Sequence, residues 1–420
     1  VNLLAQIPKS WVRANVGHYC NVQLGKMLQS DPLSESDELK PYLRAINIGA
    51  KGQVDLNHQF SMWIRPQETE RFRLKQEDIL VSEGGDAGRT AIFDVDGEYY
   101  FQNAINRVRP GRNNKITPAF IYYWFTFLKI SGYVEMICNV ATIPHFTAEK
   151  VKGSPLALPP LDTQHQIAKF LDEKTACIDA LIEKKRKLLK RLAEKRQALI
   201  TRAVTKGLNP DASEPADEKV NVAEGGGGVK YNAGIDLPPG WKLLPLKRLM
   251  RPVSAGAVSI KGRLAKLSNN EGVPAYSASG QDVRLPEPQF EGEGLVLSAV
   301  GAQCGKCFYA SGLWGVVANT QAFLPTERGN ARYLFYLVNQ RDFWDIGGTA
   351  QPYVQIPRSI SQPVSSPPLD TQHQIAKFLD EKTAEIDEVR MQILNSIELL
   401  YEYRSALITA AVTGQLPELR

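Results

Sequence analysis

PPLDTQHQIAKFLDEKTA, running from Pro159 to Ala176, returns without a change from Pro367 to Ala384, an offset of 208 residues in a chain of 420. A duplicated stretch implies a duplicated structural unit. The likeness continues through Ile178-Asp179 and Ile386-Asp387. It comes back as Ala198-Leu199-Ile200-Thr201 with Ala406-Leu407-Ile408-Thr409, then Ala203-Val204-Thr205 with Ala411-Val412-Thr413. Upstream of each copy the sequence diverges but keeps its punctuation. Ile7-Pro8 and Trp11 answer Leu237-Pro238 and Trp241. Leu80-Val81-Ser82 with Gly85 and Gly88-Arg89 answers Val296-Leu297-Ser298 with Gly301 and Gly305-Lys306. Asn103 and Pro110 answer Asn319 and Pro325, and Pro144 answers Pro352. The order is variable globule, constant segment, variable globule, constant segment.

The constant segments read as long helices. Two prolines end the preceding element, and Thr163 with Gln166 (Thr371 with Gln374) makes a T-x-x-Q capping box. Ile167, Phe170, Leu171, Ile178, Leu181, Ile182, Leu188, Leu189, Leu192 and Leu199 then recur at three-and-four spacing, with a break expected near Lys174-Thr175. Ile386, Val389, Ile393, Ile397, Leu400, Leu407 and Ala411 repeat the pattern, with a four-residue slip resembling a stutter. A helix of about 40 residues reaches roughly 60 Å and cannot bury such a stripe alone. The two are therefore expected to pair as an antiparallel coiled coil along Ile178, Leu181, Leu188, Leu192, Leu199, Ile386, Val389, Ile393, Leu400 and Leu407. The alternative is that each stripe packs on its own globule. The globules mix β-rich runs (Ala91-Ile92-Phe93, Leu295-Val296-Leu297) with helical stretches at Pro118 to Leu128 and Ala331 to Val338, so the fold class is α/β (α+β), in two pseudo-two-fold-related copies. Expected boundaries are 1–158 and 235–366 for the globules, 159–208 and 367–420 for the helices, and 209–234 for an acidic, Gly225-to-Gly228-bearing flexible linker.

Length favours two or more domains. No run of eighteen apolar residues and no signal-peptide pattern occurs, which points to the cytoplasm. Val1 in place of methionine suggests that the first residues are absent. Five scattered cysteines suit free thiols better than a disulfide framework. Cys304 and Cys307 form one C-x-x-C, but a zinc site needs four ligands and no second pair is present, so no metal is expected.

This arrangement resembles the specificity subunit of type I restriction-modification enzymes over essentially the whole chain. The resemblance rests on the two PPLDTQHQIAKFLDEKTA helix starts, the I/L-P-x-x-W openings, the LVS…G…G-R/K turns and the proline-led segments before each helix. It implies two target-recognition domains, each reading one half of an interrupted DNA site. The helices would act as ruler and as docking surface for two methylation subunits, which carry S-adenosylmethionine. Cleavage would come from two restriction subunits, so this chain needs no cofactor and has no catalytic residue of its own. Residues Tyr42 to Leu56 resemble the common form of the domain and Val273 to Leu285 a shorter variant with a Tyr-Ser-x-Ser-Gly turn, so the target should be asymmetric. Candidates for DNA contact near the family's variable loops are Arg44, Asn47, Lys51 and Gln53 in the first domain, and Ser277, Ser279, Gln281 and Arg284 in the second. Arg89 and Lys306, after paired-glycine turns, are candidates for phosphate. For each of these, ordinary surface polarity is the competing reading.

Charge is uneven between the helices. Residues 183–206 carry ten Lys or Arg against two acids, whereas 391–414 carry Arg404 against Glu398 and Glu402. The basic run suits DNA by counterion release or is simply a solvated face. Gly301 to Cys307 (GAQCGKC) falls one residue short of a phosphate loop and lacks Ser or Thr after the lysine. Pro210-Asp211 with Asp217-Glu218-Lys219 mimics a nuclease motif but lies in the linker, where no scaffold holds carboxylates around a metal. His165 and His373 have no nucleophile or second ligand nearby in sequence. Two other function classes stay open at this point: a single-chain DNA methyltransferase or nuclease that uses such globules as its reader, and a coiled-coil scaffold without sequence preference.

Overall fold

The computed structural model describes residues 3, 7–112, 115–138, 145–208, 237–254, 272–339 and 343–419. Pro144 and the expected linker, with its nuclease-like residues, lie outside them. The chain forms two compact units, Val1–Arg186 with Leu394–Arg420, and Lys187–Ile393. The division runs through both long helices, Leu161–Lys206 and Leu369–Val412. Each unit thus contains one globule, the start of the helix that follows it and the end of the other helix.

In the first unit an antiparallel sheet is ordered Cys20–Leu24, Ile105–Pro110, Asp78–Ser82, Thr90–Phe93. In the second the corresponding order is Met250–Val253, Thr320–Pro325, Gly294–Ser298, Cys307–Ala310. The inner strands DILVS and GLVLS are buried at every position, as expected for apolar, partly β-branched runs flanked on both sides. A second sheet also matches. Glu38–Leu43 pairs antiparallel with Phe60–Ile64 and parallel with Tyr100–Phe101. Val273–Ser277 pairs antiparallel with Gly280–Leu285 and parallel with Leu313–Val316. A two-stranded ladder then joins the start of each globule to its end, Val12–Asn15 with Pro155–Leu158 and Lys242–Pro245 with Pro363–Ser366. The chain therefore enters each long helix directly from the body of its globule.

A shorter helix in each globule faces the long one. Pro118–Ile130 starts at Thr117, whose side chain accepts the Phe120 amide, with proline in the first turn; Ala331–Val338 starts at Asn330, which accepts the Tyr333 amide. Both carry aromatic residues into the core, including Phe120, Trp124, Tyr333 and Tyr336.

The long helices differ from expectation at three points. Both begin at the leucine after the prolines, so Thr163 and Thr371 lie inside the first turn and do not cap it. No break occurs at Lys174-Thr175; the first helix is continuous. Leu181, Leu188 and Val389 are 42, 45 and 43 % exposed and stand outside the seam. Ile178, Ile393 and Leu407, all expected in the seam, are buried, as are Ile182 and Ile397, while Leu192, Leu199, Ile386 and Leu400 are half-buried.

Pairing between the helices is antiparallel within each unit. In the first, Arg404 meets Asp179 at 3.2 Å and Arg186 donates to the Tyr401 hydroxyl at 2.8 Å, so partner numbers fall as positions rise. In the second, Arg196 lies 3.7 Å from Asp387, and Ile200, Ala203 and Val204 share a core with Ile375, Ala376 and Leu379. The stripes thus serve both expected purposes, pairing with each other and packing on globules. No helix among the described residues is long and apolar enough to cross a membrane.

Candidate nucleic-acid interface

At equivalent places in the second sheets the two globules carry different connections. Between Leu43 and Phe60 the first inserts a sixteen-residue loop. Between Ser277 and Gly280 the second makes a tight turn, in which the Ser279 amide donates to the Ser277 hydroxyl at 3.0 Å.

The long loop is tied down from within. Asn47 is 1 % exposed, which separates it from the other candidate readers. Its carbonyl oxygen accepts the Arg44 amide at 2.8 Å, and its side-chain NH2 donates to the Asp55 and His58 carbonyls at 2.7 and 2.8 Å. Arg89 donates to the Ala45 carbonyl at 2.7 Å, reaching from the paired-glycine turn to the loop. Tyr122 donates to the Lys51 carbonyl at 3.4 Å. Gly52 has φ of 83°, and a Cβ there would collide with the Tyr122 hydroxyl. Asn47 and Arg89 therefore spend hydrogen bonds on loop backbone. Arg44 (over the Phe60 ring, 4.8 Å from its centroid), Ile46, Ala50, Lys51, Gln53, Asn57, His58 and Gln59 are what the loop exposes.

In the second globule Gln281 and Ser279 are exposed and Ser277 is half-buried. Arg284 donates to the Gly272 carbonyl at 2.6 Å. Lys306 is exposed with its ammonium 5.2 Å from the Phe308 ring centroid. The paired-glycine turns repeat bond for bond. The amide of Gly88 donates to Ser82 and that of Gly305 to Ser298, each at 2.9 Å; the amides of Ser82 and Ser298 donate back to Arg89 and Lys306, each at 2.8 Å. Gly85, Gly88, Gly301 and Gly305 all have positive φ, which glycine adopts without strain.

Three positions of the unchanged repeat make matching contacts in both units. Gln164 and Gln372 are fully buried. Gln164 donates to the Lys115 and Pro159 carbonyls and accepts the Thr117 amide, all at 2.9 Å; Gln372 donates to Arg328 and Pro367 at 2.9 and 3.0 Å and accepts the Asn330 amide at 2.9 Å. Tyr123 donates to Asp172 and Tyr336 to Asp380, each at 2.7 Å, with Thr175 and Thr383 beside them. Burial, then the neighbouring carboxylate, raises both phenols above their usual range. Arg107, buried on the strand Ile105–Pro110, is lowered by burial to about 10 and stays charged at neutral pH. Among the described residues no cluster of three or more His, Cys, Asp or Glu is placed to hold a metal ion, and Cys304 and Cys307 are both buried.

The model of the type I restriction modification DNA specificity domain matches residues 8–191 and 252–399, one copy in each half and well over half the chain together. The chain belongs to this specificity-domain family. The type I restriction enzyme EcoBI specificity subunit of Escherichia coli is 24 % identical over 47 % of this chain and 42 % of that protein. A putative type I restriction enzyme specificity subunit, S.HindORF215P of Haemophilus influenzae, is 30 % identical over 26 % of this chain and 27 % of that one. The chain thus matches less than half the length of these curated relatives. Among solved structures, a chain from work on complex assembly and conformational transition of the type I R-M system has TM-score 0.73 at 15 % identity, covering 98 % of this chain and 99 % of that one. The HsdS subunit from Thermoanaerobacter tengcongensis has TM-score 0.53 at 15 % identity, covering 98 % of each. At such identities these two establish the specificity-domain fold and nothing finer.

Proposed function

We propose that this chain is the DNA sequence-recognition subunit of a type I restriction-modification system, with no catalytic activity of its own. The observation that carries the reading is the pair of globules with one strand order and unlike connections at the same place, sixteen residues against a two-residue turn. Shared scaffolding around a differing surface suits two modules that read different sequences, because base contacts specify whereas backbone contacts only position. Each globule then reads one half of an asymmetric, interrupted site. The long helices set the spacer and dock two methylation subunits, and those subunits bind S-adenosylmethionine and methylate adenine. Two restriction subunits supply cleavage, and the assembly works in the cytoplasm.

The test is to sequence the methylome of cells carrying and lacking the gene, then to assay purified chain with and without methylation subunits on the deduced duplex. A bipartite, asymmetric modified motif and methyl transfer only in the mixture are expected. Transfer or cleavage by the chain alone would assign an enzyme instead, and equal affinity for specific and random duplexes would leave a scaffold.

A further inference from the structure

Lys187 to Lys206 in the second unit carries seven basic residues against one acid, Glu194. At about 100° per residue, Lys187, Arg191, Lys195, Arg202 and Lys206 fall within roughly a 100° arc of the helix, with Lys190 flanking it. Leu189, Ile200, Ala203 and Val204 lie on the opposite arc, and Ile200, Ala203 and Val204 are the residues buried in the core. Lys187, Lys190, Arg191 and Lys195 are all exposed, and none has an ion-pair partner among the described residues. Arg196, by contrast, sits on the seam side, 3.7 Å from Asp387.

The helix opposite it in the same unit does not share this character. Residues 369–393 carry six acids against three bases, and Asp380, Glu385 and Asp387 are engaged by Arg332, Lys382 and Arg196. A basic row on one helix alone, facing away from the seam, contributes nothing to pairing and repels itself. The four exposed cations, Lys187 to Lys195, spread over about 12 Å by helical rise, roughly a third of a turn of duplex DNA.

We infer that the outer face of the first long helix, through Lys187, Lys190, Arg191 and Lys195, is a phosphate-binding rail for double-stranded DNA that adds affinity without sequence preference. The inference rests on the DNA-reading role proposed above and adds to it a contact outside both globules. Lysine and arginine at successive turns meet the sugar-phosphate backbone as point charges, and each phosphate neutralised releases counterions.

The experiment uses the full chain with the four residues changed to glutamine (K187Q, K190Q, R191Q, K195Q), titrated against specific and random duplexes over a range of salt. Arginine at all four positions is the rescue variant, and Lys377→Gln with Arg390→Gln on the other helix is the control. Circular dichroism and thermal unfolding check that the helices stay folded. The rail predicts that the slope of log K against log salt becomes shallower by roughly 2 to 4 in the glutamine variant, at about 0.9 per lost phosphate contact. Affinity for both duplexes should fall by the same factor, with their ratio preserved, and both effects should be reversed in the arginine variant and absent in the control. An unchanged slope in a folded variant overturns the rail. So does normal DNA binding combined with lost capture of purified methylation subunits, which would assign the row to an acidic protein. If the unaltered chain fails to distinguish the two duplexes, the DNA-reading role itself fails, a result separate from either of these.

Discussion

Asn47, a candidate base reader, braces the loop it belongs to. Its position near a variable loop suggested a base reader, yet its side chain joins Arg44 to Asp55 and His58 inside the loop. An asparagine in a loop reads the same in sequence whether it points to solvent or braces backbone, so only burial separates the two roles. Asn47→Ala leaves one backbone N–H and two carbonyls without their partner, a loss of about 1–3 kcal/mol. If the braced loop reads the first half-site, the variant should weaken binding there about tenfold or more and leave the second half-site unaffected. Competition between duplexes altered in one half or the other checks this. Gln164 and Gln372 were hidden differently, in plain view within the repeat. Identity over the eighteen-residue stretch takes in exposed positions such as His165, Lys169 and Glu173 as well as buried ones, so it does not single out Gln164, and the capping-box pattern points to Thr163. Gln164→Ala and Gln372→Ala should each destabilise the unit that holds them by about 2–3 kcal/mol. Two urea transitions followed by tryptophan fluorescence should show which unit moves.

At the level of elements, the long helices were legible because three-and-four periodicity survives over many turns. The choice of seam residues was not. The apolar stripe is wider than the seam, and packing on globules at the ends competes with pairing along the middle, so Leu181, Leu188 and Val389 satisfy the spacing yet face solvent. The helix ends are more tightly defined. Gly207 and Gly414 have φ of 80° and 68° just past the last turns, and they lie against Trp241 and against Pro8 with Trp11. The I/L-P-x-x-W openings therefore seat on helix ends, an association that a separation of about four hundred residues hides for Trp11 and Gly414. A Cβ at Gly414 would come within 2.6 Å of the Pro8 ring, whereas at Gly207 its nearest neighbour is Trp241 at 3.3 Å. Gly414→Ala should cost more stability than Gly207→Ala. The latter is expected near 1 kcal/mol, from the positive φ alone. Comparison of the two melting curves decides it.

For the molecule as a whole, the repeat read from sequence corresponds to two units with one strand order, and the punctuation shared by the globules marks real turns, such as those of Gly88 and Gly305. Less visible was the division of the chain, in which each unit is completed by the end of the helix that starts in the other. Periodicity reports that a helix has an apolar side, not which globule that side meets. The proposed role of the helices as a ruler is tested most directly by inserting one helical turn into both of them, at matched positions, and sequencing the methylated sites formed with the partner subunits. The account predicts a longer spacer between two unchanged half-sites; modified sites with the original spacer would contradict it.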